Sequence, residues 1–407
     1  MPPISRRQFN LGLLTATAGM IAGVPRPGAA AASELQSFAA LEAYIADKAL
    51  AKKDMGLSAC CFNAKDILWS FGHGFANREE QVPYTPDHIQ NIGSISKTIT
   101  GAAVMQLVEA GKVDLDADIN TYLPFPVRNP NHPDQAITTR LLLIHHSSVQ
   151  DGPSYGDSYA CGDPTVTLRD WVEGYVSPGG AYYDSEKNFL ADAPGTQHEY
   201  ANVGYGILGL LVEEVTGTEF SLYCKEHIFA PLNMNNTGWR IKDIDEATHA
   251  VPYQYATNAM LKVEHARALY SGTPEARTLA PLCLYSFPNY PDGLIRTSVH
   301  QLARFGQAFL NDGGAILKPE TVQEIFRTQR ENSDEPGSTQ GLTWYGRSMP
   351  EGNQYWYHSG GDPGISTFLA LRPETQTGAV VFTNTESGNR IGKVVLTALK
   401  LAAKTME

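Results

Sequence analysis

A serine and a lysine three positions apart are the first candidates for chemistry in this 407-residue sequence. Ser94 and Lys97 open the apolar segment NIGSISKTITGAAVMQLVEAG, which predicts a buried helix over residues 94–110 that stops at Gly111. Both side chains would then lie on one helix face. Burial lowers the pKa of a lysine, so Lys97 could accept the proton of the serine hydroxyl. The alternative is that Ser94 is only an N-cap and Lys97 a solvated residue.

A tyrosine and an asparagine stand just ahead of a second helical pattern. The segment HEYANVGYGILGLLVEEVTG predicts a helix over residues 203–216, ended by Gly217 in the left-handed conformation. A nearby ammonium would lower the pKa of Tyr200, which could then act as general base and later as general acid. The amide of Asn202 could orient a lysine head or hold a substrate amide. A surface tyrosine and a capping asparagine are the alternative reading.

A histidine followed by small residues leads into a strand near the C-terminal end. In YWYHSGGDPGIST, the run His358, Ser359, Gly360 and Gly361 is typical of an edge strand whose glycines let a backbone N–H approach a ligand. His358 could hydrogen-bond on the Tyr200 side or to a substrate carboxylate. A structural histidine at the start of a strand remains the competing interpretation.

Taken in this order, the three segments resemble the serine β-lactamase and penicillin-binding-protein superfamily. The likeness is greatest to the branch with class C β-lactamases, D-alanyl-D-alanine carboxypeptidases, D-aminopeptidases and family VIII esterases. It extends to PYTPDHIQNIGSISK, GKVDLDADINTYLP, IFAPLNMNNTGW and DGLIRTSVHQLARFGQAFLNDGG. The resemblance implies that Ser94 is the nucleophile with Lys97 beside it, and that Tyr200 is the catalytic tyrosine with Asn202 as its amide partner. It also implies an oxyanion hole made by the backbone N–H groups of Ser94 and Gly361.

Two departures from the family pattern narrow the expected activity. His358, Ser359 and Gly360 stand where class C β-lactamases carry lysine, threonine and glycine, and a neutral histidine anchors a carboxylate poorly. The segment LLLIHHSSVQDG differs from the T-H-T-S-G-L-like run that relatives usually have at this place. Its two histidines, His145 and His146, have no third metal ligand at suitable spacing, so we interpret them as structural. We therefore expect a serine hydrolase of esters or amides that needs neither metal nor cofactor. A D-alanyl-D-alanine carboxypeptidase, a β-lactamase or a non-catalytic sensor of the same fold are the alternatives.

Strand and helix patterns at the two chain ends predict the scaffold. A helical pattern over about 34–52 and the strands GLSACCF and ILWSFGHGFA open the chain, while STFLALRP, GAVVFTN and an apolar-striped helix close it. These elements predict an α/β (α+β) fold with one antiparallel sheet and both end helices on one face. Residues 33–125 and 285–407 would form the sheet subdomain, and residues 126–284 a mostly helical insertion. The five tyrosines Tyr155, Tyr159, Tyr175, Tyr182 and Tyr183 could line a pocket there or simply pack.

The first 32 residues have the order of an export signal. The pair Arg6 and Arg7, an apolar run and small residues from Gly28 to Ala32 are typical of a twin-arginine leader, with an ordinary secretory signal as the alternative. We expect a periplasmic or secreted protein that uses the twin-arginine machinery and has no membrane anchor. The chain carries 31 basic and 43 acidic residues, a balance that disfavours nucleic acid as a partner.

The absence of several motifs excludes other classes of enzyme and of metal site. The cysteines Cys60, Cys61, Cys161, Cys224 and Cys283 form no C-x-x-C pair, so they indicate small core residues rather than zinc ligands or a disulfide framework, although an exported protein can hold one or two bridges. The sequence has no G-x-S-x-G elbow, no dinucleotide fingerprint and no H-E-x-x-H motif.

Overall fold

A computed structural model describes residues 35–49, 55–331, 337–349, 354–386 and 390–406. The predicted leader, residues 1–32, lies outside the described residues. No helix in the described ranges is long and apolar enough to cross a membrane.

Strands from the two ends of the chain build one large sheet. The strands are β1 (Leu57–Asn63), β2 (Ile67–His73), β3 (Phe75–Asn77), β4 (Val82–Pro83), β5 (Gln90–Asn91), β6 (Ala160–Cys161), β7 (Tyr253–Tyr255), β8 (Leu279–Pro281), β9 (Tyr285–Ser286), β10 (Arg296–Thr297), β11 (Arg330–Glu331), β12 (Ser338–Gln340), β13 (Tyr345–Ser348), β14 (Gln354–Asp362), β15 (Ile365–Arg372) and β16 (Thr377–Thr383). Eight of them pair antiparallel in the order β11-β12-β13-β14-β15-β16-β1-β2. The predicted fold class is confirmed.

Helices cover both faces of this sheet and fill the middle of the chain. They are α1 (Phe38–Tyr44), α2 (Ser96–Glu109), α3 (Thr139–Leu143), α4 (Pro153–Asp157), α5 (Leu168–Val176), α6 (Asn202–Thr216), α7 (Phe220–Cys224), α8 (Glu264–Ala268), α9 (Val299–Leu310), α10 (Pro319–Phe326) and α11 (Arg390–Lys404). The helix predicted over about 34–52 begins at Phe38 and continues past Tyr44 as the π-helical turn Ile45–Ala49. The helix predicted over 203–216 is confirmed as α6, with Gly217 at φ 68°.

Alternation along β1 sorts its side chains between two cores. Cys60 belongs to the core beneath α2 and α9, whereas the next residue, Cys61, packs with the end helices α1 and α11. Successive strand residues point to opposite faces, which is the reason for this division. Both end helices therefore lie on one face, as predicted.

The disulfide Cys161–Cys283 is one bridge of the kind that the sequence allowed for an exported protein, although small core residues were the favoured interpretation of all five cysteines. It joins the last residue of β6 to a residue two positions before β9, and these two strands pair with each other although they are far apart in sequence. Sequence spacing could not reveal this pairing, because the fold alone brings the two thiols together. Cys60, Cys61 and Cys224 are buried and free, as expected of small core residues. The proposed division of the chain at residues 125 and 285 stays a prediction.

Candidate active site

Ser94 lies on a tight turn at the entrance to α2. The turn Gly93–Ile95 is a 3-10 helix that runs directly into the α-helix Ser96–Glu109, so the predicted helix is present but begins in a tighter form. Ser94 is 6% exposed, enough to keep one side open at the edge of the buried helix. Most of α2 is buried, which fixes the turn firmly beside the sheet.

Lys97 is fully buried and its amine has three oxygen partners. The Nζ atom lies 3.1 Å from Ser94 Oγ, 2.7 Å from Asn202 Oδ1 and 2.8 Å from the backbone oxygen of Asp292. Burial lowers the pKa of Lys97, as the sequence indicated, while the carboxylates of Asp292, Asp151 and Asp362 act against that change. An amine in this position is drawn toward its neutral form by burial and toward its charged form by its neighbours.

Tyr200 stands on the other side of this amine with a neutral hydroxyl. Lys97 Nζ is 5.0 Å from the Tyr200 ring centroid, and the His145 ring stacks on the tyrosine at 4.2 Å. Burial raises the pKa of Tyr200, and nearby Ser94 only partly opposes the rise. The expected lowering of this pKa by a nearby ammonium is therefore wrong, because loss of water disfavours the phenolate more strongly. The Tyr200 hydroxyl has no hydrogen-bond partner among the described residues.

Asp151 fixes the orientation of Asn202, and sequence reasoning missed it. Its carboxylate accepts hydrogen bonds from the Asn202 backbone N–H at 3.1 Å, the Asn202 Nδ2 at 2.7 Å and the Val203 N–H at 3.0 Å. The first two residues of α6 are thereby capped, and the Oδ1 of Asn202 is left facing Lys97. Asp151 lies in the segment LLLIHHSSVQDG, where the departure from the family pattern was the signal that could have drawn attention to it.

Asp292 is a second acid that the sequence did not single out. Its Oδ1 lies 3.7 Å from Lys97 Nζ, and its two carboxylate oxygens each accept from the Tyr155 hydroxyl at 3.1 Å. Asn289 Nδ2 donates to the same carboxylate at 2.6 Å. Burial raises the pKa of Asp292 to about 7, and the Lys97 charge opposes the rise. An acid and an amine thus lie side by side, and each influences the protonation of the other.

Glycines allow β14 to approach the serine turn. A Cβ on Gly360 would lie 2.0 Å from the Ile92 oxygen, and a Cβ on Gly93 would lie 3.0 Å from the Gly361 nitrogen. Gly93 also has φ 53°, which favours glycine. The partner strand β13 pairs with β14 only from Gln354 to Tyr357, so the edge beyond it faces the serine turn rather than a strand. Ser359 is partly exposed on this segment.

His358 does not reach Tyr200. Its Nδ1 lies 2.7 Å from the Ser359 backbone oxygen, and its Nε2 has no hydrogen-bond partner among the described residues. Burial lowers the pKa of His358 to about 3, so the ring is neutral at ordinary pH. The expected hydrogen bond on the tyrosine side is wrong, because β14 directs the ring toward Tyr345 at 5.6 Å between centroids.

His145 packs against the site. Its ring lies beneath Tyr200, and its Nδ1 accepts a hydrogen bond from the Ala201 N–H at 3.2 Å. His146 lies near His198, with ring centroids 5.6 Å apart. Among the described residues, no group of three or more His, Cys, Asp or Glu side chains could bind a metal ion.

Comparison with known proteins places this geometry in a family. The family model named Beta-lactamase matches residues 41–404 of this chain. The chain belongs to the beta-lactamase family. The match confirms the resemblance inferred from the motifs, and it makes the protein a member of a hydrolase family with the beta-lactamase fold.

Relatives and solved structures agree with this placement. The chain is 25% identical over 344 residues to the putative penicillin-binding protein PbpX of Bacillus subtilis, which covers 84% of this chain and 74% of the relative. The octameric penicillin-binding protein homologue from Pyrococcus abyssi has the same fold with a TM-score of 0.70 at 24% identity, covering 90% of this chain and 77% of that one. The D-amino acid amidase from Ochrobactrum anthropi SV3 has a TM-score of 0.72 at 20% identity, covering 91% and 100%.

Proposed function

We propose that this protein hydrolyses ester or amide bonds through a covalent acyl-enzyme on Ser94. The observation that carries the proposal is the 3.1 Å contact between Ser94 Oγ, which is 6% exposed, and the fully buried Lys97 Nζ. A hydroxyl beside a desolvated amine is the arrangement that activates a serine for nucleophilic attack.

The partners of Lys97 define the path of the proton. Two of its three contacts, Asn202 Oδ1 and the Asp292 backbone oxygen, are carbonyl oxygens that can only accept. A neutral amine has two N–H groups for these carbonyls and one lone pair left for the third partner, the Ser94 hydroxyl. Proton transfer from Ser94 to Lys97 then accompanies the attack of Oγ on the substrate carbonyl.

Tyr200 completes the cycle as a neutral proton carrier. Because its hydroxyl is buried and has no partner among the described residues, it is free to bond to the leaving group or to the attacking water. It donates a proton to the departing alcohol or amine and recovers the proton that Lys97 took from Ser94. The backbone N–H groups of Ser94 and Gly361 stabilise the oxyanion, a contribution of about 3–4 kcal/mol per donor in comparable enzymes.

The charges of the site favour substrates without a carboxylate next to the cleaved bond. His358 is neutral and buried, so no cation replaces the lysine that class C β-lactamases use at this position. Amino-acid amides are candidates, since the fold neighbour from Ochrobactrum anthropi has been solved with D-phenylalanine and with L-phenylalanine amide. A D-alanyl-D-alanine carboxypeptidase or a β-lactamase is the second candidate, supported by the penicillin-binding relatives.

Turnover of four chromogenic or amide substrates tests the proposal. We expect hydrolysis of p-nitrophenyl acetate or of an amino-acid amide, and at least 100-fold lower kcat/KM with nitrocefin, since a missing charged contact costs about that factor. A D-alanyl-D-alanine peptide completes the set. Ser94→Ala should abolish turnover of every substrate. Equal activity of the Ala variant contradicts the proposal, and a preference for nitrocefin supports the second candidate.

Replacement of Asp292 should shift the pH dependence of kcat/KM for acylation. Lys97 acts as a base only when neutral, so kcat/KM rises as the pH increases through its pKa. The Asp292 carboxylate holds the pKa of Lys97 up, and Asp292→Asn should therefore move this rising limb to lower pH. The control is Asp87→Asn, an exposed acid paired with His300. A limb that stays in place in Asp292→Asn would show that Lys97 is not the group that titrates.

Export through the twin-arginine machinery is part of the proposed function. The disulfide Cys161–Cys283 suits a protein that works in an oxidising compartment. A mature N-terminus near Ser33 in protein recovered from outside the cytoplasm is the expected observation.

A further inference from the structure

We propose that Asn91 and Asp362 are positioning residues, which hold the Ser94 turn and the Gly361 strand at the separation that the oxyanion requires. This inference rests on the proposed function, since it assigns a role in forming the same oxyanion hole. Asn91 and Asp362 lie within the first and third motif segments, but neither side chain has a role in the chemistry proposed above.

Asn91 connects the two halves of the hole directly. Its Oδ1 accepts a hydrogen bond from the Gly93 N–H at 2.8 Å, and its Nδ2 donates to Asp362 Oδ2 at 2.8 Å. Gly93 immediately precedes Ser94, and Asp362 immediately follows Gly361. One amide therefore joins the residues adjacent to both proposed oxyanion donors.

The backbone of Asn91 is itself held in place. The short strand β5 contains Asn91 and pairs with β10, where Arg296 lies opposite it. Asn91 is 5% exposed, so its side chain has little freedom to turn toward solvent. A side chain anchored at its backbone and at both of its polar ends transmits position rather than merely filling space.

Asp362 is oriented from the opposite side by the inserted part of the chain. The Tyr159 hydroxyl donates to Asp362 Oδ1 at 2.9 Å, so each carboxylate oxygen has its own donor. Asp362 is 4% exposed and its direct donors are all uncharged. A buried carboxylate held only by neutral donors is costly, which argues that the position has a role beyond stability.

The disulfide-linked strand pair supports this arrangement. Tyr159 immediately precedes β6 and Tyr285 is the first residue of β9, and the disulfide Cys161–Cys283 links the two strands at this point. The Tyr285 hydroxyl donates to the Pro363 oxygen at 2.8 Å and also lies 3.3 Å from Asn91 Nδ2. The end of β14 is therefore fixed by two tyrosines from this strand pair.

Steady-state kinetics and a transition-state mimic test the proposal together. In Asn91→Ala and Asp362→Ala we expect kcat for p-nitrophenyl acetate to fall about 10- to 100-fold, since misplacement of catalytic groups by about 1 Å costs that much. KM should change less than about threefold, and the Ki of phenylboronic acid, which forms a tetrahedral serine adduct, should rise in step with the loss of kcat. The double variant should be little worse than either single variant, because the two side chains act as one unit.

Conservative and control variants separate positioning from stability. Asp362→Asn keeps an oxygen that can accept from Asn91 and should recover most of the activity, whereas Asn91→Asp loses the donor and should not. Glu213→Gln is the matched control, because Glu213 also accepts from a backbone N–H and a tyrosine hydroxyl but lies eleven residues along α6 from Asn202. It should leave kcat and the boronate Ki unchanged.

The outcomes distinguish this inference from the proposed function. Wild-type boronate affinity in both alanine variants, or fully additive losses in the double variant, overturns the positioning role. If an alanine variant does not fold, Asn91→Asp against Asp362→Asn decides the same question. If the wild-type protein forms no adduct with boronate at all, the proposed acyl-enzyme fails instead.

Discussion

Replacement of Lys97 by methionine should reduce kcat/KM for ester hydrolysis by about 10³-fold or more, as expected for loss of the base that activates a nucleophile. Methionine follows the same path as the lysine stem but has no lone pair that can deprotonate Ser94 at neutral pH. The carbonyl oxygens of Asn202 and Asp292 lose their donor and the Ser94 hydroxyl loses its acceptor, while the cost of burying the amine disappears. Stopped-flow measurement of the acylation step gives the effect directly.

The control for this variant lies at the opposite end of the same helix. Lys112 is exposed just beyond α2, and Lys112→Met should leave the acylation rate unchanged. Circular dichroism and thermal unfolding check that the Lys97 variant is folded. Acylation by folded Lys97→Met within about tenfold of wild type would rule out the lysine as the principal base.

Replacement of Tyr200 by phenylalanine should separate activity from stability. The hydroxyl has no hydrogen-bond partner among the described residues, and the ring stack on His145 needs only the aromatic carbon atoms. We expect the free energy of unfolding to change by less than about 1 kcal/mol, or to rise, because no bond is lost. Turnover should still fall by about 10²- to 10⁴-fold, the usual cost of losing a general acid.

Tyr205→Phe is the matched control because Tyr205 has the opposite properties. Its ring also lies near Lys97, 5.5 Å from Nζ, but its hydroxyl donates to the Leu143 oxygen at 2.9 Å. This variant should lose about 1–2 kcal/mol of stability and keep most of its activity. Denaturant titration and esterase assays on both variants make the comparison. Equal losses of activity in the two would contradict a chemical role for the Tyr200 hydroxyl.

Local sequence patterns predicted the parts of the site that depend on local structure. Ser94 and Lys97 could be placed because three-residue spacing on an apolar helix determines a common face. Gly360 and Gly361 could be placed because a glycine pair on a strand permits close approach, and the structure brings them against the Ile92–Gly93 backbone. The sheet was predictable because alternating strands at both chain ends had to pair with each other.

Tertiary contacts determine what the sequence did not reveal. Asp151 and Asp292 lie within segments that were compared with the family, but no spacing pattern marked either acid, and only folding brings them to Asn202 and Lys97. The pKa of Tyr200 was predicted in the wrong direction because spacing reports the nearby amine but not the depth of burial. The pairing of Cys161 with Cys283 could not be predicted from the sequence, since the two residues are 122 positions apart and only folding brings them together.

Covalent labelling of Ser94 tests the central claim most directly. Incubation of the folded protein with a fluorophosphonate, followed by intact mass spectrometry and peptide mapping, should give one adduct per chain on the peptide that contains Ser94. Ser94→Ala should remain unmodified under the same conditions, and Ser96→Ala, which alters a buried neighbour, should still be labelled. An adduct that persists in Ser94→Ala, or one that maps to another residue, would contradict the proposed nucleophile.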